Sequence, residues 1–238
     1  SEYKGIKGFQ VTTRTEDPVP FAQAKSDNPY AGVWGSGGSL NTARYSLTGM
    51  GTLTDALVAG GNNGSADVAV VENYNGTSWT EVSDLNLARR ESASAGTDTA
   101  SVVFGGIAPP ISAGGAVNES WNGSSWTEVA DLNQTRSFMG SLGIQTAGLS
   151  VAGDTNNPFP NRVSNVEQWN GSSWTEVSDV NTTRAAGAAS GTTTDGLYFG
   201  GQTPPPARVG NTEAWNGSAW TEVNDMATGR SGVAGEGT

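Results

Sequence analysis

The side chains of this 238-residue chain that could do chemistry are carboxylates: it holds 23 Asp and Glu against 12 Lys and Arg, with no His and no Cys. Without imidazole or thiol it cannot build a Ser-His-Asp or Cys-His nucleophile, a thiolate metal site or an imidazole-ligated copper. A pair of carboxylates acting as acid and base on a glycosidic bond is the enzyme chemistry that remains. Glu81, Glu128, Glu176 and Glu222, however, recur at one place in a repeated block. A catalytic pair has to break such symmetry, so these four read as a solvated acidic strand. No Gly-rich phosphate loop and no EF-hand spacing occurs. No cofactor is expected, and the chain is not expected to be an enzyme.

The elements that carry these groups are copies of one unit. Glu-Asn-Tyr-Asn-Gly-Thr-Ser-Trp-Thr-Glu-Val at 72–82 returns almost unchanged at 119–129, 167–177 and 213–223, with Trp79, Trp126, Trp174 and Trp220 at intervals of 47, 48 and 46 residues. That period belongs to propeller blades. Gly 34 and a hydrophobic fraction of 35% suit a Gly-punctuated all-β chain,. Within the copy from Arg89 to Arg136, a short run after Arg89 gives a first strand and Ala100 to Phe104 a second, closing at Gly105-Gly106. Ala116 to Trp121 and Ser124 to Val129 give the third and fourth. Asn122-Gly123 between them predicts a two-residue type I′ hairpin, which would set Glu119 opposite Trp126 and Trp121 diagonal to it. The indoles are expected to pack between neighbouring blades; an aromatic sugar platform is the other use. The sequons at Asn75, Asn122, Asn170 and Asn216 follow from turn chemistry alone, so no glycan is assigned.

Each copy leads into Asp-Leu-Asn-x-x-Arg or a close variant, ending at Arg89, Arg136, Arg184 and Arg230, with Arg44 as an earlier member. The guanidinium fork is expected to join adjacent blades through backbone carbonyls. The copies differ most in the loops between second and third strands: Asn62 to Ala66, Ile107 to Gly115, Thr155 to Arg162 and Gln202 to Gly210. Variable loops on a rigid frame are where binding is usually placed. Asn62, Asn63, Phe159, Arg162 and Arg208 are the candidate binding residues of this rim.

Gly60-Gly61, Gly105-Gly106 and Gly200-Gly201 closing the second strand, Tyr74, Trp121, Trp169 and Trp215 in the third, the four later Trp residues and the Arg opening each unit together resemble the kelch repeat over residues 34–238. The third copy departs by reading Gly153-Asp154 at the glycine pair. The resemblance implies an all-β, kelch-like propeller of four-stranded blades, four complete (45–82, 90–129, 137–177, 185–223) plus a partial fifth, following an extended N-terminal segment 1–30. Some kelch-fold relatives are copper oxidases, whose metal ligands are missing from this chain. The near-identical copies, the phrases Leu40-Asn41-Thr42-Ala43-Arg44 and Trp-Asn-Gly-Ser-Ser-Trp, and the leader residues Lys4 to Lys7 and Asp27 to Pro29 resemble kelch-like proteins of marine bacteriophages, cyanophages especially. That likeness implies a virion protein of the tail or fibre, on the particle surface.

The ends of the array do not balance. Ala31 to Gly35 matches a lone fourth strand and Ser231 to Thr238 a lone first strand. Continuation past Thr238, closure by four blades, or strands from another subunit would each resolve this, and an open edge leads us to expect continuation or an oligomeric assembly. Residues 1–30 carry four charges of each sign, so the net charge of −11 belongs entirely to the remainder. Such a surface repels nucleic acid and anionic membrane, and no stretch approaches the roughly 20 apolar residues of a span. The start lacks a signal-peptide core, and Ser1 reads as the residue exposed by Met removal. Tyr3, Ile6, Phe9, Val11, Phe21 and Tyr30 have no hydrophobic period of their own and are expected to order against other virion proteins. The rim is expected to face a host-surface glycan or protein if the chain is an adhesin.

Overall fold

The structure is a computed structural model, and it describes residues 37–109, 115–155 and 161–235. Residues 1–36, and with them the six docking candidates and the strand expected at 31–35, lie outside these, as do Phe159 and 236–238. Among the described residues there are strands and turns and no helix. They form four antiparallel sheets of four strands, arranged as a four-bladed β-propeller.

Blade 1 is β1 (Thr48–Gly51), β2 (Ala56–Ala59), β3 (Val71–Tyr74) and β4 (Trp79–Glu81). Blade 2 is β5 (Ala93–Gly96), β6 (Ser101–Phe104), β7 (Asn118–Trp121) and β8 (Trp126–Val129). Blade 3 is β9 (Gly140–Ile144), β10 (Ala147–Asp154), β11 (Arg162–Trp169) and β12 (Trp174–Val177). Blade 4 is β13 (Ala188–Gly191), β14 (Gly196–Phe199), β17 (Thr212–Trp215) and β18 (Trp220–Val223), its second loop carrying a small ladder of β15 (Gln202–Thr203) with β16 (Ala207–Arg208). The first strands converge on the axis, where β1 meets β5, β5 meets β9 and β9 meets β13. These strands are short and rich in Gly, Ala, Ser and Thr, with Met50, Leu142 and Ile144 as the larger side chains. A Cβ on Gly51, with φ at +118°, would lie 2.3 Å from the Asp55 carbonyl.

The hairpin between third and fourth strands differs from the two-residue turn expected. Trp121 pairs directly with Trp126 and Glu119 with Glu128, so the loop is the four residues 122–125. Only Gly123 has positive φ, and the Asn122 Oδ1 accepts the amides of Ser124 and Ser125, both at 2.9 Å. An Asx turn thus replaces type I′: the side chain supplies the acceptor that a tighter turn would take from the backbone. The direct pairing sets the two indoles 5.0 Å apart on one face.

That face covers the preceding blade. Trp121 and Trp126 share a core with Met50, Leu57, Val71 and Leu85 of blade 1, Trp169 and Trp174 with Ala95, Val102 and Phe104 of blade 2, and Trp215 and Trp220 with Leu149, Val151 and Val166 of blade 3. Burial of a ring of 150–250 Å² contributes roughly 4–6 kcal/mol gross. These six indoles are inter-blade packing, as the repeat implied, whereas Trp79 belongs to none of the three cores.

The third blade also corrects the glycine pair. Gly60, Gly105 and Gly200 have φ near +66° and the Gly after each near +100°. In blade 3 these backbone positions belong to Ala152 (φ 55°) and Gly153 (φ 115°), one residue earlier than the Gly153-Asp154 alignment. Asp154 instead occupies the bridge position facing Ser137, as Ile107 faces Arg90 and Gln202 faces Ala185.

Candidate functional site

Among the described residues a buried polar cluster is repeated in every blade. Glu72, Glu119, Glu167 and Glu213 stand two residues before the third-strand aromatic, so strand alternation places them on its face. All four are 0–1% exposed. Each pairs with the Arg that enters its own blade: Glu72 with Arg44, Glu119 with Arg89 (3.0 Å), Glu167 with Arg136 (2.6 Å) and Glu213 with Arg184 (2.5 Å). The second carboxylate oxygen accepts the backbone amide and side-chain amide of the linker Asn, as Asn86 N (2.7 Å) and Nδ2 (2.8 Å) reach Glu119 Oε2. Asn41, Asn133 and Asn181 repeat the contact. The same Asn Nδ2 also donates to a fourth-strand indole residue's carbonyl, 3.1 Å to Trp174 and Trp220.

The expected role of the arginines is therefore right in part. Arg89 does donate to carbonyls, to Val117 at 2.6 Å and Val103 at 3.0 Å, but a buried carboxylate anchors it. Sequence reading missed those carboxylates because it followed the exposed Glu81, Glu128, Glu176 and Glu222. The signal was present: Glu recurs at one fixed offset before the aromatic, in the same copies that keep the Arg.

Burial opposes ionisation of Glu72 and Glu213, yet hydrogen bonds from Arg44 with Asn41 and Thr42, and from Arg184 with Asn181, hold both carboxyls below their ordinary range,. Burial pulls Arg89 down to about 10 against the attraction of Glu119, which leaves it charged at neutral pH. Tyr198 is pushed up to about 12 by burial, its ring lying 4.2 Å from the Arg184 guanidinium carbon. The carboxylates and arginines of this cluster are held by one another and by the frame.

The loop candidates separate into two places. Asn62 bridges Tyr45, donates to Asp67 Oδ1 at 2.7 Å and accepts from the Gly64 amide, while Asn63 accepts from Ser65 and Ala66. Asp67 in turn receives Arg90 of blade 2 at 2.6 Å. Their carboxamides shape the loop and tie it to blade 2. Arg162 and Arg208 are brought together around Gln202: Arg162 Nη2 donates to Gln202 Oε1 at 2.7 Å and Nη1 to the Thr203 carbonyl, and Arg208 is the ladder partner of Gln202. Arg208 is exposed and Arg162 half-buried.

Among the described residues, a larger and a smaller cavity lie on the axis. The larger, about 380 Å³, is lined by the first strands and their turns, including Met50, Ser94, Leu142 and Thr192, and none of its lining residues is charged. The smaller, about 130 Å³, holds one carboxylate, Glu91, with Leu47, Phe138 and Met139. Glu91 breaks the repeat, replacing Ser46, Phe138 and Ala186 of the other blades, and all four have positive φ. Burial raises its pKa against a hydrogen bond from Ser46. Among the described residues no second carboxylate lines that cavity. Among the described residues no group of three or more His, Cys, Asp or Glu could hold a metal, and no helix is long and apolar enough to cross a membrane. No family model and no curated protein matches the chain.

Proposed function

We propose that this chain is a non-enzymatic, kelch-like propeller of a bacteriophage virion, a tail- or fibre-associated structural component that docks through residues 1–30 and displays its blades on the particle surface. The observation that carries the reading is the division of labour among polar groups. The four buried carboxylates are each closed off by an Arg and an Asn of the frame, while the differences between blades are gathered in the loops. A frame of near-identical blades with variable loops suits display and contact better than turnover. The resemblance of Leu40 to Arg44, of the Trp-Asn-Gly-Ser-Ser-Trp phrase and of the leader to marine phage proteins supplies the particle.

Deleting residues 1–30 tests it. The truncated chain should keep a cooperative melt and fail to enter particles; normal incorporation would sink the docking role. The second reading is a host-surface adhesin, and the exposed Arg208 beside Arg162 favours it. Arg208→Ala should then lower particle adsorption to host cells without altering particle assembly, whereas unchanged adsorption would leave the structural role alone.

A further inference from the structure

Arg230 has the backbone of its four counterparts and none of their surroundings. Its carbonyl accepts the Gly201 amide at 2.7 Å, as the Arg89 and Arg136 carbonyls accept those of Gly61 and Gly106 at 2.8 Å. Two residues on, the Gly232 amide donates to the Ala186 carbonyl at 2.8 Å, continuing a stair in which Glu91 donates to Ser46, Phe138 to Glu91 and Ala186 to Phe138. Gly232 also keeps the positive φ of that stair. Residues 230–232 thus open a fifth unit in register, although 231–235 form no ladder. Arg89, Arg136 and Arg184 are 0% exposed, whereas Arg230 is exposed.

The faces beside it are uncovered too. Leu57 and Leu149 are 0% exposed and Val102 is 1% exposed beneath the next blade's indoles, but their blade 4 counterpart Leu197 is 42% exposed and the neighbouring Val223 is 41% exposed. Across the sector, Tyr74 and Trp79 stack at 4.9 Å and belong to none of the three inter-blade cores. Trp79 Nε1 donates to the Gly38 carbonyl as Trp126 Nε1 donates to that of Ser83, so 38–44 already stand as the linker leaving a preceding blade.

We propose that the sector between blades 4 and 1 is the seat of a strand set of this repeat's own chemistry, carrying Glu two residues before an indole and a second indole after a four-residue turn. Charge decides the occupant. Glu72, Glu119, Glu167 and Glu213 are each paired with their own Arg. The buried third-strand carboxylates are therefore all taken, in this copy and in a second one, so the occupant brings its own Glu at that register. Ala227 replaces the linker Asn here, so that Glu is held by Arg230 and backbone amides without the side-chain amide.

Joining the sequence of residues 98–129 after Thr238 tests this, because Gly237-Thr238 align with Gly96-Thr97. The extended chain should melt at least about 6 °C above the parent. Arg230→Ala should reverse most of that gain and leave the parent within about 1 °C, and Ala227→Asn should raise the extended chain alone. Should the fusion misfold, a synthetic 98–129 peptide offered to the parent should protect β14 and β17 amides from exchange. Equal melting of parent and fusion with no peptide protection, or the same Arg230→Ala effect in both chains, overturns the proposal. So does a parent dimer in sedimentation that is lost in Leu197→Asp, since a second copy would then fill the seat.

Discussion

Glu119 and Glu128 face each other in the β7–β8 ladder, yet removing them should have very different consequences. Glu119 is 0% exposed and accepts from Arg89 Nη2 at 3.0 Å, Leu87 N at 3.3 Å, and Asn86 N and Nδ2 at 2.7 and 2.8 Å. Glu119→Ala leaves Arg89 charged and buried and strands three further donors. Breaking one side of a buried pair costs about 3–5 kcal/mol. Unsatisfied neutral donors cost about 1–3 kcal/mol each where water cannot reach them, so the expected loss is at the top of that range, about 5 kcal/mol. Glu128 is exposed, and Glu128→Ala should stay within about 0.5 kcal/mol of the parent,. Urea unfolding followed by tryptophan fluorescence reads both. Replacing the pair with apolar groups of similar size, Arg89→Met with Glu119→Leu, should recover much of the loss, because the uncompensated charge is gone. A difference between the two single variants of less than about 1 kcal/mol would refute the idea that these carboxylates hold the blades together.

Acid should weaken the same pairs. The folded pKa values of Glu72 and Glu213 lie below their unfolded ones, so this stability is full above the ordinary carboxylate range near pH 4 and is lost as pH falls through the lowered values. Melting temperature should drop steeply below about pH 4; a flat profile contradicts the assignment. Glu91 runs the other way: its raised pKa means that the charged form opposes folding as pH rises, so Glu91→Gln should raise the melting point at pH 7 and change nothing at pH 3. Gly51→Ala, with φ +118° and a Cβ 2.3 Å from the Asp55 carbonyl, should cost more than about 2 kcal/mol by urea unfolding. Trp121→Ala removes a ring 2% exposed in the blade 1–blade 2 core, and calorimetry should show a loss of about 3–5 kcal/mol.

The blades were legible because the signals repeat: four copies of the strand and turn pattern outweigh any ambiguity in one. The hairpin was misread because Asn-Gly specifies a turn without fixing its length. Asn122 uses its side-chain oxygen as the acceptor, an option the dipeptide does not distinguish from type I′,. The glycine pair of blade 3 slipped by one residue because Ala152 takes a left-handed conformation that Ala seldom adopts, imposed by its neighbours rather than by its own preference,. Glu119 looked like any charged strand residue until the fold placed Arg89, thirty positions away in sequence, beside it. The loop candidates show the limit of local reading: Asn62 and Asn63 hold their own loop in shape, while Arg162 and Arg208 meet through Gln202, a residue no motif singled out.

The claim that this propeller is carried on a virus particle is tested most directly by mass spectrometry of particles purified through two density gradients. Peptides spanning residues 45–230 are expected at a constant ratio to capsid protein across the particle peak. Peptides found only in the infected-cell lysate, and none in the particle fractions, would contradict it.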